Sequence, residues 1–348
     1  MHNGYLLLLF LRCRRKNYFC KKRYFRCRRN YIMNFEKKFE QLLKLIGNTP
    51  LIKINYQFRG EKKYAYIKAE WYNLSGSIKD RVAYYILKHA YETGQIDEHT
   101  PICEVTSGNM GISFAAVSRY LGNPCTICIP KFMSKERFKL LHLYGAHLEL
   151  TENFETAFEK AAEYEKQGFF LTHQFENEYN MIAHYEMTAP EIEAKINEFP
   201  CFIAGVGTAG TLHGCGKFFK DKHNSKMFAL EPLQSSILTL GKSLGPHKIQ
   251  GLSDEIIPGL YPENLVDDII RVDDNDAIGM AQRLCKELSL GVGISGGANF
   301  LGCVLSGYNG AISVFADDNK KYLSTALADE SIHSQLVDEI DLLGFEVL

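Results

Sequence analysis

Four short stretches carry side chains suited to chemistry, and each lies beside an apolar run. The first is Leu74-Ser75-Gly76-Ser77-Ile78-Lys79-Asp80-Arg81. Gly76 and Ser77 form a turn, after which Val82, Ile86 and Ala90 recur every fourth residue, the period of a helix face. Lys79 therefore stands at the mouth of a helix, where its amine can reach into a cleft. The competing reading is a solvated lysine of the kind common at helix starts. To act as a nucleophile, such an amine needs a pKa depressed from the ordinary value of about 10.4.

The second stretch, Glu104-Val105-Thr106-Ser107-Gly108-Asn109-Met110-Gly111, separates the apolar run Ile102 to Val105 from a helical pattern over 112–121. In isolation Asn109 is equally a left-handed turn residue after Gly108. The third is Gly205-Val206-Gly207-Thr208-Ala209-Gly210-Thr211, again after a strand-like run and before a helical one. Small residues let the backbone approach a phosphate, the helix start supplies N–H groups and a favourable dipole, and two threonines add hydroxyls. Its Gly207-x-x-Gly210 spacing is neither a Walker loop nor a dinucleotide fingerprint. A plain tight strand–helix turn is the alternative. The fourth, Gly293-Ile294-Ser295-Gly296-Gly297-Ala298, presents Ser295.

The elements that must position these residues alternate. A helix over 81–91 closes at Gly94, and 102–105 reads as a strand; helix 112–121 ends at Gly122, and 125–129 is a strand again. Ser134 is expected to cap a helix over 135–144 that ends at Gly145. Strand 147–150, helix 154–166 and strand 169–171 follow, and the pattern continues through Ile203, Leu230 and Val314. Short apolar runs without polar alternation predict strands buried on both faces, hence parallel α/β sheets under helices. The 348 residues, 46% apolar and 23% charged, suit a two-domain globular chain with a sizeable core, and no apolar run reaches the roughly 18 residues of a membrane span.

Charge is unevenly spread. Residues 1–32 hold ten Lys/Arg and no Asp or Glu, so subtracting these from the formal net of −1 leaves −11 on residues 33–348. The basic leader, with interleaved Tyr and Phe, has three readings: a nucleic-acid-binding arm, a membrane anchor built on Tyr5 to Leu11, or a start assigned ahead of a true first residue at Met33. Arg-Cys-Arg-Arg occurs at both 12–15 and 26–29, which favours the last. Three of the ten cysteines lie in the leader, and the other seven are scattered through apolar segments. Cys125 and Cys128, three apart on a strand, point to opposite faces and make poor metal ligands, so no metal site is expected. Buried free thiols imply a reducing cytoplasm.

Lysine turn, Ser-Gly-Asn loop and Gly-Thr loop, in that order, resemble the fold-type II pyridoxal-phosphate enzymes, in the cysteine synthase/cystathionine β-synthase branch. The resemblance runs from about Leu45 to Thr325 and includes Ile46-Gly47-Asn48-Thr49-Pro50-Leu51, Met133-Ser134-Lys135-Glu136-Arg137 and Ile249-Gln250-Gly251. It implies two doubly wound, mainly parallel-sheet α/β domains of tryptophan-synthase-β type, with pyridoxal 5′-phosphate in the cleft between them. The expected divisions are a leader at 1–32, domains at 33–178 and 179–325, and a tail at 326–348 without a motif. The hinge falls near 176–180, and the first segment can pack with the second domain. A homodimer acting on small amino acids is expected, with no membrane partner and no nucleic acid unless the leader supplies one.

By the same resemblance, Lys79 carries the cofactor as an imine and then removes the Cα proton. Gly207, Thr208, Ala209, Gly210 and Thr211 hold the phosphate, although Gly is usual at Ala209. Asn109 meets the ring 3′-oxygen, and Ser295 meets the pyridine nitrogen, which a hydroxyl leaves largely unprotonated; that suits β-elimination and replacement. Thr106, Ser107, Gln174 and Gly251 bind substrate, the first three by offering neutral donors to its carboxylate. The implied reaction is β-replacement on O-acetylserine, or another activated serine, by sulfide or a thiol, forming L-cysteine through an aminoacrylate. Alternatives are cystathionine β-synthase chemistry with serine and homocysteine, serine/threonine dehydratase, or an inactive regulatory homologue. Three departures bear on the substrate: Met110 replaces the usual Thr, Leu74-Ser75 replaces Pro-Gly, and Ser253-Asp254-Glu255 replaces a Gly/Ala-rich stretch. A chain beginning at Met33 is expected to keep its cofactor and activity; loss of either in a side-by-side purification would make the leader part of the enzyme.

Overall fold

A computed structural model describes residues 35–106, 108–253, 256–329 and 332–348, so the basic leader lies outside the described residues. The chain divides after Lys44 into a short unit and a unit of residues 45–348. The described part of the short unit is helical over 35–42, with Phe35 and Phe39 meeting edge-on at 6.2 Å.

The larger unit holds two sheets. One has seven strands in the order β11-β1-β2-β10-β7-β8-β9: β1 (Leu51–Phe58), β2 (Glu61–Ala69), β7 (Cys201–Gly205), β8 (Lys226–Pro232), β9 (Asp268–Val272), β10 (Ala311–Phe315) and β11 (Ile340–Val347). The other orders β5-β4-β3-β6, from β3 (Ile102–Val105), β4 (Cys125–Pro130), β5 (His147–Thr151) and β6 (Phe170–Leu171). Every pairing is parallel except β1 with β2 and β1 with β11. β3, β4 and β10 are buried at every residue, as unbroken apolar runs require of strands covered on both faces. The expected two-domain α/β fold is therefore correct.

Helices α1 (Lys79–Glu92), α2 (Asn109–Leu121), α3 (Lys135–Leu143), α4 (Phe154–Lys166), α5 (Gly210–Lys222), α6 (Asp274–Leu288) and α7 (Ile294–Leu305) flank the sheets. Two local expectations need correction. Ser134 occupies the position before α3, but its hydroxyl donates to the Lys321 carbonyl (2.8 Å) instead of capping the helix. The tail read as featureless ends in β11, which pairs antiparallel with β1 in a register of Ile54 to Phe345. As an edge strand mostly open to solvent it carries no strong period. Six of the seven body cysteines are buried, Cys128 facing Cys103 across β3–β4 with sulfurs 3.9 Å apart. No helix among the described residues is long and apolar enough to cross a membrane.

What fixes the start of α1 is a buried group of charges. The guanidinium of Arg81 is fully buried and forms two forks, one to Glu70 (Nε–Oε2 2.7 Å, Nη2–Oε1 2.9 Å) and one to Glu191 (Nη1–Oε1 and Nη2–Oε2, both 2.7 Å). Lys68 adds a second cation, its Nζ 2.7 Å from Glu191 Oε2 and hydrogen-bonded to Thr49. Burial would raise the Glu70 carboxyl, but the Arg81 and Lys68 charges and the Thr49 hydroxyl hold it at about 2. Because that lies below the ordinary value of about 4.3, its contribution is complete above the ordinary value and is lost as pH falls toward the folded one. Glu70→Gln leaves two buried cations on one carboxylate and is expected to cost about 3–5 kcal/mol by chemical denaturation at neutral pH, with a smaller difference from wild type near pH 3.

Candidate active site

Lys79 is the first residue of α1 and is half-buried; its own N–H lies 3.3 Å from Ser77 Oγ. Behind it, fully buried Asp80 accepts from the Ser75 amide (2.6 Å) and hydroxyl (2.5 Å). Ser75, the departure noted in the sequence, thus ties down the turn that presents Lys79. Gly76 stands at φ +82°, the left-handed region that glycine adopts freely.

The carboxyl ends of β3, β7 and β10 converge on the cleft beside Lys79. It is lined by Thr106, Asn109, Gln174, Gly207 to Thr211, Gly251 and Ser295, which are all the candidates except Ser107, which lies outside the described residues. Open α/β sheets hold ligands at this end of their strands. Met110 also lines it, buried. Arg137, Gln250, Leu252 and Asn299 line it too and were not anticipated as site residues. Arg137 and Gln250 had a signal, since both sit in recognised motifs; Asn299 had none, because it bridges β7 to β10 through Gly205 N–H (2.9 Å) and the Val314 carbonyl (2.8 Å).

Several partners explain how the loops are held. Asn109 Nδ2 donates to Asp317 Oδ2 (2.7 Å), which also accepts from the Tyr322 hydroxyl (2.7 Å). Asn180 Nδ2 donates to Thr208 Oγ1 (2.8 Å) and to the Gln174 carbonyl (2.8 Å). His184, fully buried in a single π-helical turn, lies 3.2 Å from Thr211 Oγ1 and 3.0 Å from Thr188 Oγ1. Burial, then the charges of Lys79 and Arg81, push its pKa well down, so the imidazole is neutral. Glu104, buried at the end of β3, accepts from Thr172 Oγ1 and from Gln174 Nε2 (2.9 Å). Burial pushes its carboxyl up to about 8, against those hydrogen bonds and the nearby Lys79. One expected role needs amendment: Gln174 Nε2 donates inward, to Glu104 and to the Val105 carbonyl (2.5 Å), so those donors are not directed at a substrate carboxylate.

Three features fit pyridoxal phosphate. Asn109 Oδ1 is buried without a hydrogen-bond partner. The loop before α5 has no room for side chains, since a Cβ on Gly207 would lie 2.3 Å from the Gly251 carbonyl oxygen and one on Gly210 2.0 Å from Asn180 Oδ1. Ala209 at φ +65° turns the chain into α5, whose first N–H groups lack intrahelical acceptors and suit a phosphate.

Known proteins bear this out. Residues 42–313 match the family described as pyridoxal-phosphate dependent enzyme. A cysteine synthase of Staphylococcus aureus (strain N315) is 36% identical over 304 residues, 84% of this chain and 98% of its own. A hydrogen sulfide-producing enzyme from Fusobacterium nucleatum is 40% identical with a TM-score of 0.85, over 90% of this chain and 100% of its own. An O-acetylserine dependent cystathionine β-synthase from Helicobacter pylori is 29% identical with a TM-score of 0.75, over 82% and 97% respectively. Gly207→Ala forces its Cβ against the Gly251 carbonyl, a backbone atom that cannot swing aside. The variant is expected to bind pyridoxal phosphate about tenfold more weakly or worse, read by titrating apoprotein and following visible absorbance.

Proposed function

The chain belongs to the cysteine synthase group of the pyridoxal-phosphate-dependent enzymes, and from that premise we propose that it replaces the β-substituent of O-acetylserine, or another activated serine, with sulfide or a thiol. The observation that carries this reading is one cleft lined by Lys79, Asn109, the 207–211 loop and Ser295. When bound, pyridoxal phosphate supplies an electron sink for charge at the substrate Cα. Lys79 would hold the cofactor and would take the substrate Cα proton as general base. The first-turn amides of α5 and the hydroxyls of Thr208 and Thr211 hold the phosphate, with His184 and Asn180 fixing those hydroxyls.

Asn109 orients the ring, and Asp317 sets the direction of its amide. Ser295 offers the ring nitrogen a hydroxyl, too weak an acid to charge it. Thr106 and Ser107 take the donor carboxylate. The leaving group departs with the electron pair of its bond to Cβ, the thiol or hydrosulfide bonds to Cβ as it loses its proton, and Lys79 returns a proton to Cα. Free, mostly buried cysteines support a cytoplasmic enzyme, and a homodimer is part of the reading. A second reading has L-cysteine as the donor and sulfide as the leaving group; the similarity to a hydrogen sulfide-producing enzyme favours including it.

The test is a panel on purified holoenzyme, with O-acetylserine, serine and L-cysteine as donors and sulfide and homocysteine as nucleophiles. Product from O-acetylserine is expected, and Lys79→Ala is expected to lower turnover by about 100-fold or more. Borohydride reduction and peptide mapping should label Lys79. No product from any donor, or label on another lysine, would overturn the proposal.

A further inference from the structure

The cleft contains a cation that this reaction scheme leaves unused. Arg137, in the first turn of α3, is 2% exposed and lines the cleft. Its Nη1 donates to Gln250 Oε1 and lies 3.5 Å from Ser134 Oγ, and its guanidinium carbon sits 4.8 Å from the centre of the Tyr322 ring. Its Nε is buried with no hydrogen-bond partner. None of those contacts carries a charge.

A guanidinium stays charged in proteins, and burying one without an anion is costly. Stacking on Tyr322 offsets part of that cost and leaves the Nε edge unused. That edge belongs to a planar fork whose parallel N–H groups match the two oxygens of a carboxylate better than a single-atom anion such as hydrosulfide. In the scheme above, the phosphate goes to the 207–211 loop and the donor carboxylate to Thr106 and Ser107. Arg137 lies against the 104–111 loop at Gly108, where a Cβ would fall 2.1 Å from Arg137 Cδ and 2.2 Å from its Nε, and reaches across to Gln250. It therefore adjoins the donor's binding loop and contacts the wall carrying Gly251.

We propose that Arg137 is a specificity-determining residue that binds the carboxylate of the attacking thiol, so that the cleft favours a carboxylate-bearing thiol over a neutral one. The inference rests on the β-replacement reading and names the class of its second substrate.

The test holds O-acetylserine constant and compares 3-mercaptopropionate with 2-mercaptoethanol as nucleophiles for the holoenzyme, one carrying a carboxylate where the other carries a hydroxyl. Wild type is expected to favour 3-mercaptopropionate in kcat/KM. R137M should lower that ratio by about tenfold or more, through KM for the acid, and R137K should lower it by less, because lysine keeps the charge but not the fork. A wild-type ratio near one, or R137M weakening both thiols equally, would overturn the inference while leaving β-replacement intact. If R137M does not fold, the wild-type ratio and R137K still decide. Failure of wild type to consume O-acetylserine with either thiol or with sulfide would overturn both proposals.

Discussion

Two carboxylates and two cations, sealed together beneath the start of α1, are the constraint on which the site depends. Arg81 sits two residues after Lys79, and its guanidinium is clamped on both sides, by Glu70 and by Glu191. Such a group gives little net stability over a well-packed apolar one, but it tolerates only one arrangement, because any shift leaves a charge unpaired in the interior. Glu191 belongs to the short helix Ala189–Glu193, which follows the π-helical turn holding His184. His184 in turn meets Thr211. Lys79 and the 207–211 loop, 128 or more residues apart in the chain, are thus referenced to one rigid cluster.

The neighbouring turn adds a second fixed point. Asp80 is fully buried, and burial raises its pKa while the hydrogen bonds from Ser75 and Ser113 oppose the rise. Where Pro-Gly would stiffen the turn by restricting its backbone, Leu74-Ser75 anchors it from outside through two bonds to that carboxyl. Met110 is a different kind of departure. A thioether has no donor to set against a substrate oxygen, so the change shifts that part of the cleft from polar recognition toward packing.

Strand–loop–helix order was legible because those signals are local. The 207–211 loop admits only small residues, because at Gly207 and Gly210 the space for a side chain is taken by the Gly251 carbonyl and by Asn180. The resemblance then supplied the chemistry that spacing alone left open. What the sequence did not disclose are pairings between distant residues: Arg81 with Glu191 is separated by 110 positions, Asn109 with Asp317 by 208, Arg137 with Gln250 by 113. Nothing in local period or composition joins the two partners of any of these pairs. The same reason hides the inward turn of Gln174, which Glu104, 70 positions earlier, imposes.

The electrostatics of the cleft follow from these long-range contacts. The body of the chain is acidic, at −11 over residues 33–348 by removing the ten leader charges from the net of −1. Yet the charged side chains among the described residues lining the cleft are Lys79 and Arg137, both cationic. Glu104 lies just behind the lining, but burial raises its carboxyl to about 8, so at neutral pH it is largely protonated and cancels little of that charge. A low-dielectric cleft of one sign inside a molecule of the other concentrates the field at its mouth. Such a recess favours an anionic cofactor phosphate and the carboxylate of an amino acid.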